Sequence, residues 1–349
     1  MLIQTKRNKI APISIFFLFY ISRIVVSLTN VQSVSTGIIR TDMLISVLLS
    51  LAATLLISLP ALWCYKNNKN PFDVKGVNLF YYSYFVFMAG VNISRFSSFA
   101  SSVINPDATS WLFSVAISIC VCYAATLGIE GLSRFSAFSF ILIVIAIASV
   151  LIFNIDNYND INLHPIIGDE SSAILKNSVY LTSSSIELLL LLCLSKKVNG
   201  DATRAYVFSV IASFLTIFLL ILFVNAVMGD AASTRAYPVY ILFQLAKVGV
   251  FERIDILHIS FWIIGIFVKA VLLVYCASIS IKKGKNITKC IISSVITLGV
   301  ALAFDNMTGQ TSIDHNIFFI LYFVSYFVIP LLTLIFKKRN LGDELIEKF

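Results

Sequence analysis

The sequence predicts an all-α polytopic membrane protein of ten transmembrane helices, and three observations carry that reading. Hydrophobic residues fill 58% of its 349 positions and charged residues only 13%, against roughly 25% charged in soluble domains, and the mean hydropathy is +0.91. Apolar runs long enough to cross a hydrocarbon layer of about 30 Å, which takes ~20 helical residues, recur ten times. They lie near 11–34, 43–64, 77–97, 110–127, 133–153, 173–194, 204–228, 254–281, 288–304 and 316–336. The third observation is that Lys and Arg crowd into alternate connections, as they do in cytoplasmic loops.

Taken in order, the first run is too long for a signal-peptide core and lacks an obvious small-residue cleavage site, so it reads as the first span. With the N-terminus inside, eighteen of the 26 basic residues fall in inner segments. Only Arg40, Arg95, Lys176, Arg235, Lys247 and Arg253 fall in outer ones. Both termini are therefore expected in the cytoplasm, as an even number of spans requires. The net charge of +8 then reads as an orientation signal and an attraction to the anionic lipid bilayer, with no nucleic-acid partner.

The connections carry the organisation. "KNNKNPFDVKG" joins the second and third spans on the inside. "GIEGLSRFS", residues 128–136, makes the inner turn between the fourth and fifth, where Gly128 and Gly131 permit a tight turn. Glu130 and Arg134 there are spaced for an ion pair, serving either as a helix-start device or as an inner gate. The polar stretch "NIDNYNDINLHPIIGDESS", 154–172, is an outer linker within a single membrane domain of residues 1–349. It divides two sets of five helices, about 10–153 and about 173–336, whose opposite orientations are those of an inverted repeat. Residues 229–253 are apolar yet too short to span; Pro238 suits the first turn of a short helix over the outer mouth, gating or merely interfacial.

Neither cysteines nor histidines suggest a metal. The six cysteines are expected within helices or at their inner ends, without a disulfide, and Cys120 and Cys122 point in different directions on a helix. His164, His258 and His315 fall in outer loops or at an outer helix end with no ligand spacing, and read as solvated or interfacial. No nucleophile, base and orienting group assemble, so neither an enzyme nor a cofactor is expected.

The chemistry lies at mid-depth. A charge at the centre of a spanning helix costs roughly 2.5–3.5 kcal/mol on insertion scales, so such residues face a partner or a wet cavity. Arg23 lies about halfway along the first span, Glu187 midway in the sixth within "SSSIELLLLLC", and Lys269 midway in the eighth. In an inverted repeat the first and sixth spans flank the central site, so Glu187 has candidate partners in Arg23 and Lys269. Helical steps of three and four extend the polar faces: Arg23, Ser27 and Asn30; Tyr180, Ser183, Ser184 and Glu187; His258, Trp262, Gly265 and Lys269. The bland alternatives are a structural ion pair and serines that serve helix packing. "SLTNVQS", 27–33, is polar enough that an unwound first span is expected there.

These features together resemble a known family. "GIEGLSRFS", "NLHPIIG", "IELLLLL", the stretch "YPVYILFQLAKVGVFERIDILHISFWIIGIFVK" and a basic tail are similar to the permease-like B subunits of bacterial spore germinant receptors (GerAB-like), in the amino acid, polyamine and organocation transporter superfamily. The resemblance implies a leucine-transporter-type five-plus-five inverted repeat, with a small-molecule site between the first, third, sixth and eighth spans. It further implies sensing of a germinant such as an amino acid or small acid, together with A and C subunits in the inner spore membrane. Proton-coupled transport of a similar solute is the alternative, with Glu187 or Lys269 coupling.

Overall fold

The structure, a computed structural model, describes residues 9–34, 42–74, 76–164, 171–246, 255–305 and 315–336, with the side chains of 26–34, 171–173 and 315–317 outside the description. The described chain is helical, apart from one isolated parallel bridge between Ile10 and Val198. The α-helices are α1 (Pro12–Val34), α2 (Asp42–Lys66), α3 (Val77–Phe99), α4 (Ser110–Leu127), α5 (Ile129–Phe153), α6 (Ser171–Ser183) and α7 (Glu187–Leu194). They continue with α8 (Thr203–Met228), α9 (Pro238–Leu245), α10 (Asp255–Ser280), α11 (Asn286–Asp305), α12 (His315–Phe323) and α13 (Ile329–Phe336). Among the described residues, eight helical segments are long and apolar enough to cross a membrane. The protein is therefore a multi-pass membrane protein. α1 and α3, at 23 residues each, fall outside those eight.

Burial identifies the central elements. In the sixth span, Ile174–Lys197, 78% of the most apolar window is buried, and in α10 61%, against 33% in α2 and α5 and 28% in α4. The outer helices instead turn large apolar side chains such as Leu56, Trp63, Ile119 and Tyr123 outward, as a lipid solvent requires. α1 packs on α8, α5 and α10, while α10 also contacts α3, α4, α5, α7 and α11. The approach of α1 to α10 is close: a Cβ on Gly265 would fall 1.8 Å from Cγ2 of Val25.

Two expectations about backbone continuity are overturned. The first span stays helical through 27–33; polar side chains alone do not open a helix whose backbone groups are satisfied internally. The sixth span breaks instead, at Ser184–Ile186 between α6 and α7. Serine hydroxyls take up the carbonyls near the break: Ser183 Oγ donates to Tyr180 O (2.8 Å) and Ser184 Oγ to Leu181 O (2.8 Å). The tenth span is continuous but wound as a π turn over Val324–Val328 between α12 and α13.

The connections cluster at two ends. At one, Ile10 N donates to Lys197 O (2.9 Å), Asn70 Nδ2 to Leu192 O (2.9 Å), Lys69 Nζ to Leu334 O (2.6 Å), and Lys196 pairs with Asp73 (3.3 Å). These are the segments that the basic residues group on one side. At the opposite end, the described part of the linker, up to His164, packs against α9, which Pro238 opens as expected, and against α8: Asn154 Nδ2 donates to Leu242 O (3.0 Å) and Asn162 Nδ2 to Ala226 O (2.8 Å). All six cysteines lie in helices and are free thiols.

Replacing Gly265 by Ala should lower stability by about 1–3 kcal/mol through overpacking, read as a lower unfolding temperature in detergent. Val25→Ala in the same chain should recover part of the loss; an unchanged transition in G265A would contradict the helix contact. A pH effect is expected at Asp201, whose Oδ1 accepts from Thr203 N (2.9 Å) at the start of α8. Partial burial raises its pKa, but the Thr203 bonds and the nearby Lys66 and Arg204 outweigh this and leave it lowered. A depressed carboxyl contributes stability above its unfolded pKa, which is lost as the pH falls through the folded one. Asp201→Ala should therefore cost at most about 1 kcal/mol at pH 7, since solvent screens this exposed carboxylate, with the gap between variants narrowing below about pH 4.

Candidate functional site

The broken sixth span determines where its acid sits. Glu187 is the first residue of α7, fully buried, and a carboxylate there meets the positive end of the helix dipole. Arg23 Nη2 donates to Glu187 Oε2 at 2.7 Å and Arg23 Nη1 to Ser185 Oγ at 2.7 Å. Ser22 Oγ donates to Glu187 Oε1 at 3.0 Å. Lys269, also fully buried, holds its Nζ 3.8 Å from Glu187 Oε1 and donates to Ser22 O at 3.2 Å. The guanidinium of Arg23 lies 5.1 Å from the ring centroid of Phe214 on α8, a further favourable contact for a buried cation.

The structure thus brings Arg23, Glu187 and Lys269 together across α1, α7 and α10. Ser183 and Ser184 do not join them; both hydroxyls are spent on α6 carbonyls, because the break ends the helical face they were expected to share with Glu187. The side chains of Ser27 and Asn30 lie outside the described residues. Glu130 and Arg134 form an exposed i,i+4 pair at 2.7 Å in the first turns of α5, far in sequence and burial from the central cluster.

Several residues around the cluster escaped the sequence reading. Ser22, Ser185 and Phe214 are brought in by tertiary contacts alone. Arg95, assigned to an outer segment, instead lies inside α3, half-buried, interacting with the Tyr180 hydroxyl and with Lys269. Arg95 falls within the expected span 77–97 yet counts with the outer residues for lying near its end; α3 runs on to Phe99, so Arg95 stands a full turn inside the helix. Tyr322 and Tyr326, stacked at 4.3 Å, lie within electrostatic reach of Glu187, Tyr84 and Tyr206. Their buried hydroxyls have no hydrogen-bond partner among the described residues, and Tyr326 sits in the π turn of the tenth span, a feature frequent at functional sites.

The histidines need a correction as well. His164 is exposed, and the side chain of His315 lies outside the described residues. His258, however, is 4% exposed rather than solvated or interfacial, because α9 folds over it with the Phe243 ring 4.8 Å away.

Charge in the cluster orders the expected effects of substitution. Glu187→Gln leaves two buried cations with no anion and should cost the most, at or above the 3–5 kcal/mol typical of breaking a buried pair. Arg23→Met leaves Lys269 beside Glu187 and should cost less. Lys269→Met keeps the 2.7 Å pair and should cost least. Unfolding of the three variants in detergent tests this order, and a Lys269→Met protein less stable than Glu187→Gln would contradict the shared-carboxylate arrangement.

Comparison with known proteins gives these features a context. The sequence profile of the spore germination protein (spore permease) family matches residues 9–308. The chain is also 21% identical over 213 residues to spore germination protein YndE of Bacillus subtilis (strain 168), covering 59% of this chain and 58% of that protein. The match therefore spans little more than half the length of that relative. With the family profile running from before α1 to the end of α11 and including the cluster on α1, α7 and α10, the chain belongs to the spore germination protein family.

Proposed function

We propose that this chain is the permease-like subunit of a spore germinant receptor, which binds a small carboxylate-bearing nutrient at the Arg23–Glu187–Lys269 cluster and acts with A and C subunits. In this reading it lies in the inner spore membrane with both termini cytoplasmic. α1 and α3 join the eight candidate spans to make ten, arranged as a leucine-transporter-type inverted repeat with halves of about 10–153 and about 173–336. Membership of the spore germination protein family supports the role.

The observation that carries the ligand class is charge. Two buried cations share one carboxylate, and Arg95 stands close by without an ion pair among the described residues. A cluster with excess positive charge in low dielectric favours an anionic guest. Apolar residues would fill such a space at lower cost if packing were the only purpose. Glu130 and Arg134, exposed at a turn, serve as a helix-start device in this scheme.

The second reading, a proton-coupled transporter of a similar solute, draws support from the break at Ser184–Ile186, since transporter sites are commonly built on interrupted helices. The continuous α1 favours the receptor, because alternating access commonly relies on interruptions in both halves.

The test begins with thermal unfolding of the purified protein against small organic acids, amino acids, sugars and nucleosides. A carboxylate at about 100 times its Kd should stabilise by roughly 2.7 kcal/mol. Lys269→Met should abolish the protection while retaining a cooperative transition. Protection by uncharged sugars alone would sink the anionic-ligand reading. With the protective compound in proteoliposomes, saturable accumulation driven by a proton gradient would favour the transporter, and binding without accumulation the receptor.

A further inference from the structure

We infer that the protein carries a second, lateral site: an apolar cleft beside α9, headed by His258, that accepts a neutral hydroxyl-bearing aliphatic molecule from the surrounding bilayer. The cleft is distinct from the charged cluster. Arg23 turns to Glu187, whereas its neighbours Ile24 and Val25 line the cleft together with Ile147 of α5, Leu220 of α8, Phe243 of α9 and Trp262 of α10. α5 and α8 each pack on α1, and the cleft lies between the parts they contribute. About 350 Å³ of empty space, open surroundings included, lies in and before the cleft, whose own interior has room for little more than a water-sized group, so a guest would seat its polar head there and leave its tail at the mouth.

His258 is the one ionisable side chain on this wall, and both ring nitrogens are buried without a hydrogen-bond partner. The ring is held in place by aromatic neighbours: Phe243 at 4.8 Å, Tyr240 at 5.8 Å and Phe99 at 6.3 Å between centroids. Tyr240 Oη in turn donates to Asp255 Oδ2 at 3.1 Å, one turn before His258 on α10. The imidazole is therefore fixed in orientation while its polar capacity is unused.

The walls select the guest. A buried water makes about three hydrogen bonds, and an otherwise apolar wall offers it far fewer. A carboxylate would enter an apolar cleft within the field of Asp255, which interacts with His258, and an unpaired charge there is costly. A hydroxyl both donates and accepts, and so matches an imidazole, which offers one of each when neutral. A slender aliphatic body fits the remaining surface. The guest is then a membrane-partitioning alcohol, and it does not depend on what binds the charged cluster.

Trp262 makes the site readable. Of the three tryptophans in the chain, Trp63 and Trp111 are 63% and 51% exposed and can be replaced by Phe to leave Trp262 as the sole reporter. The full-length protein in lipid nanodiscs would be titrated with a linear bromoalkanol and with the bromoalkane of equal carbon number, bromine quenching the indole on contact. Saturable quenching is expected from both, with half-quenching by the alcohol at a roughly three- to tenfold lower membrane concentration, the range one buried hydrogen bond supplies. His258→Phe should erase the difference between the two compounds. Ala146→Leu, which fills the cleft, should remove saturation for both and serves if the histidine variant does not fold. Quenching linear in concentration, equal half-points in the parent protein, or an alcohol preference untouched by both variants would each overturn the site.

Discussion

One carboxylate shared by two cations organises this protein. Glu187 lies 2.7 Å from Arg23 and 3.8 Å from Lys269 with essentially no exposure, so three helices that could otherwise slide in a hydrocarbon solvent are tied at one point. Apolar helices in lipid have no hydrophobic drive to associate and depend on close packing and polar contacts. The contact of Gly265 with Val25 supplies the first of these for α1 and α10, and the Glu187 cluster supplies the second. Neither suffices alone: close packing without the ion pairs would leave three charges unpaired in an apolar core.

The break in the sixth span follows from the same constraint. A carboxylate midway along an unbroken helix would gain nothing from the helix dipole, whereas as the first residue of α7 Glu187 lies at the positive end of that helix. The broken turn also frees Ser185 to accept from Arg23. Its cost falls on the carbonyls at the end of α6, and the run of serines answers it: the amides of Ser184 and Ser185 bond Tyr180 O and Thr182 O, and the Ser184 hydroxyl bonds Leu181 O. The "SSS" before Glu187 is thus the local device that makes the interruption tolerable at membrane depth.

The sequence disclosed the parts whose cost is visible residue by residue. Arg23, Glu187 and Lys269 stood out because a charge in an apolar run demands a partner, and helices of fixed rise put them at one depth. The backbone break was hidden, since serine-rich helical segments look alike whether they pack or unwind, and the π turn at Val324–Val328 lies in an apolar, aromatic run that carries no local mark of it. "SLTNVQS" misled in the opposite direction: its polarity suggested unwinding, yet α1 runs on to Val34. Arg95 was misplaced because a basic residue near the end of an apolar run reads as belonging to the outer connection, while α3 extends to Phe99 and holds it half-buried. His258 looked interfacial because α9, which buries it, lies far enough away in sequence that only the fold reveals the cover.

Under the proposed function, these features bear together on how a signal leaves the charged cluster. α1 is continuous and packed against α10 at Gly265, so under the proposed function a guest that draws Arg23 or Lys269 toward itself acts against two helices already in close contact. The sixth span is the compliant element, two short helices joined by three non-helical residues. α7 continues into the end where Asn70 bonds Leu192 and Ser195, and Ile10 bonds Lys197. A change in the charge balance around Glu187 therefore has a direct covalent route to the basic connections at that end, through one turn-rich junction. Under the receptor reading, that end is where partner subunits would sense occupancy, and a movement of α7 alone would carry the signal without the two-sided opening that transport requires.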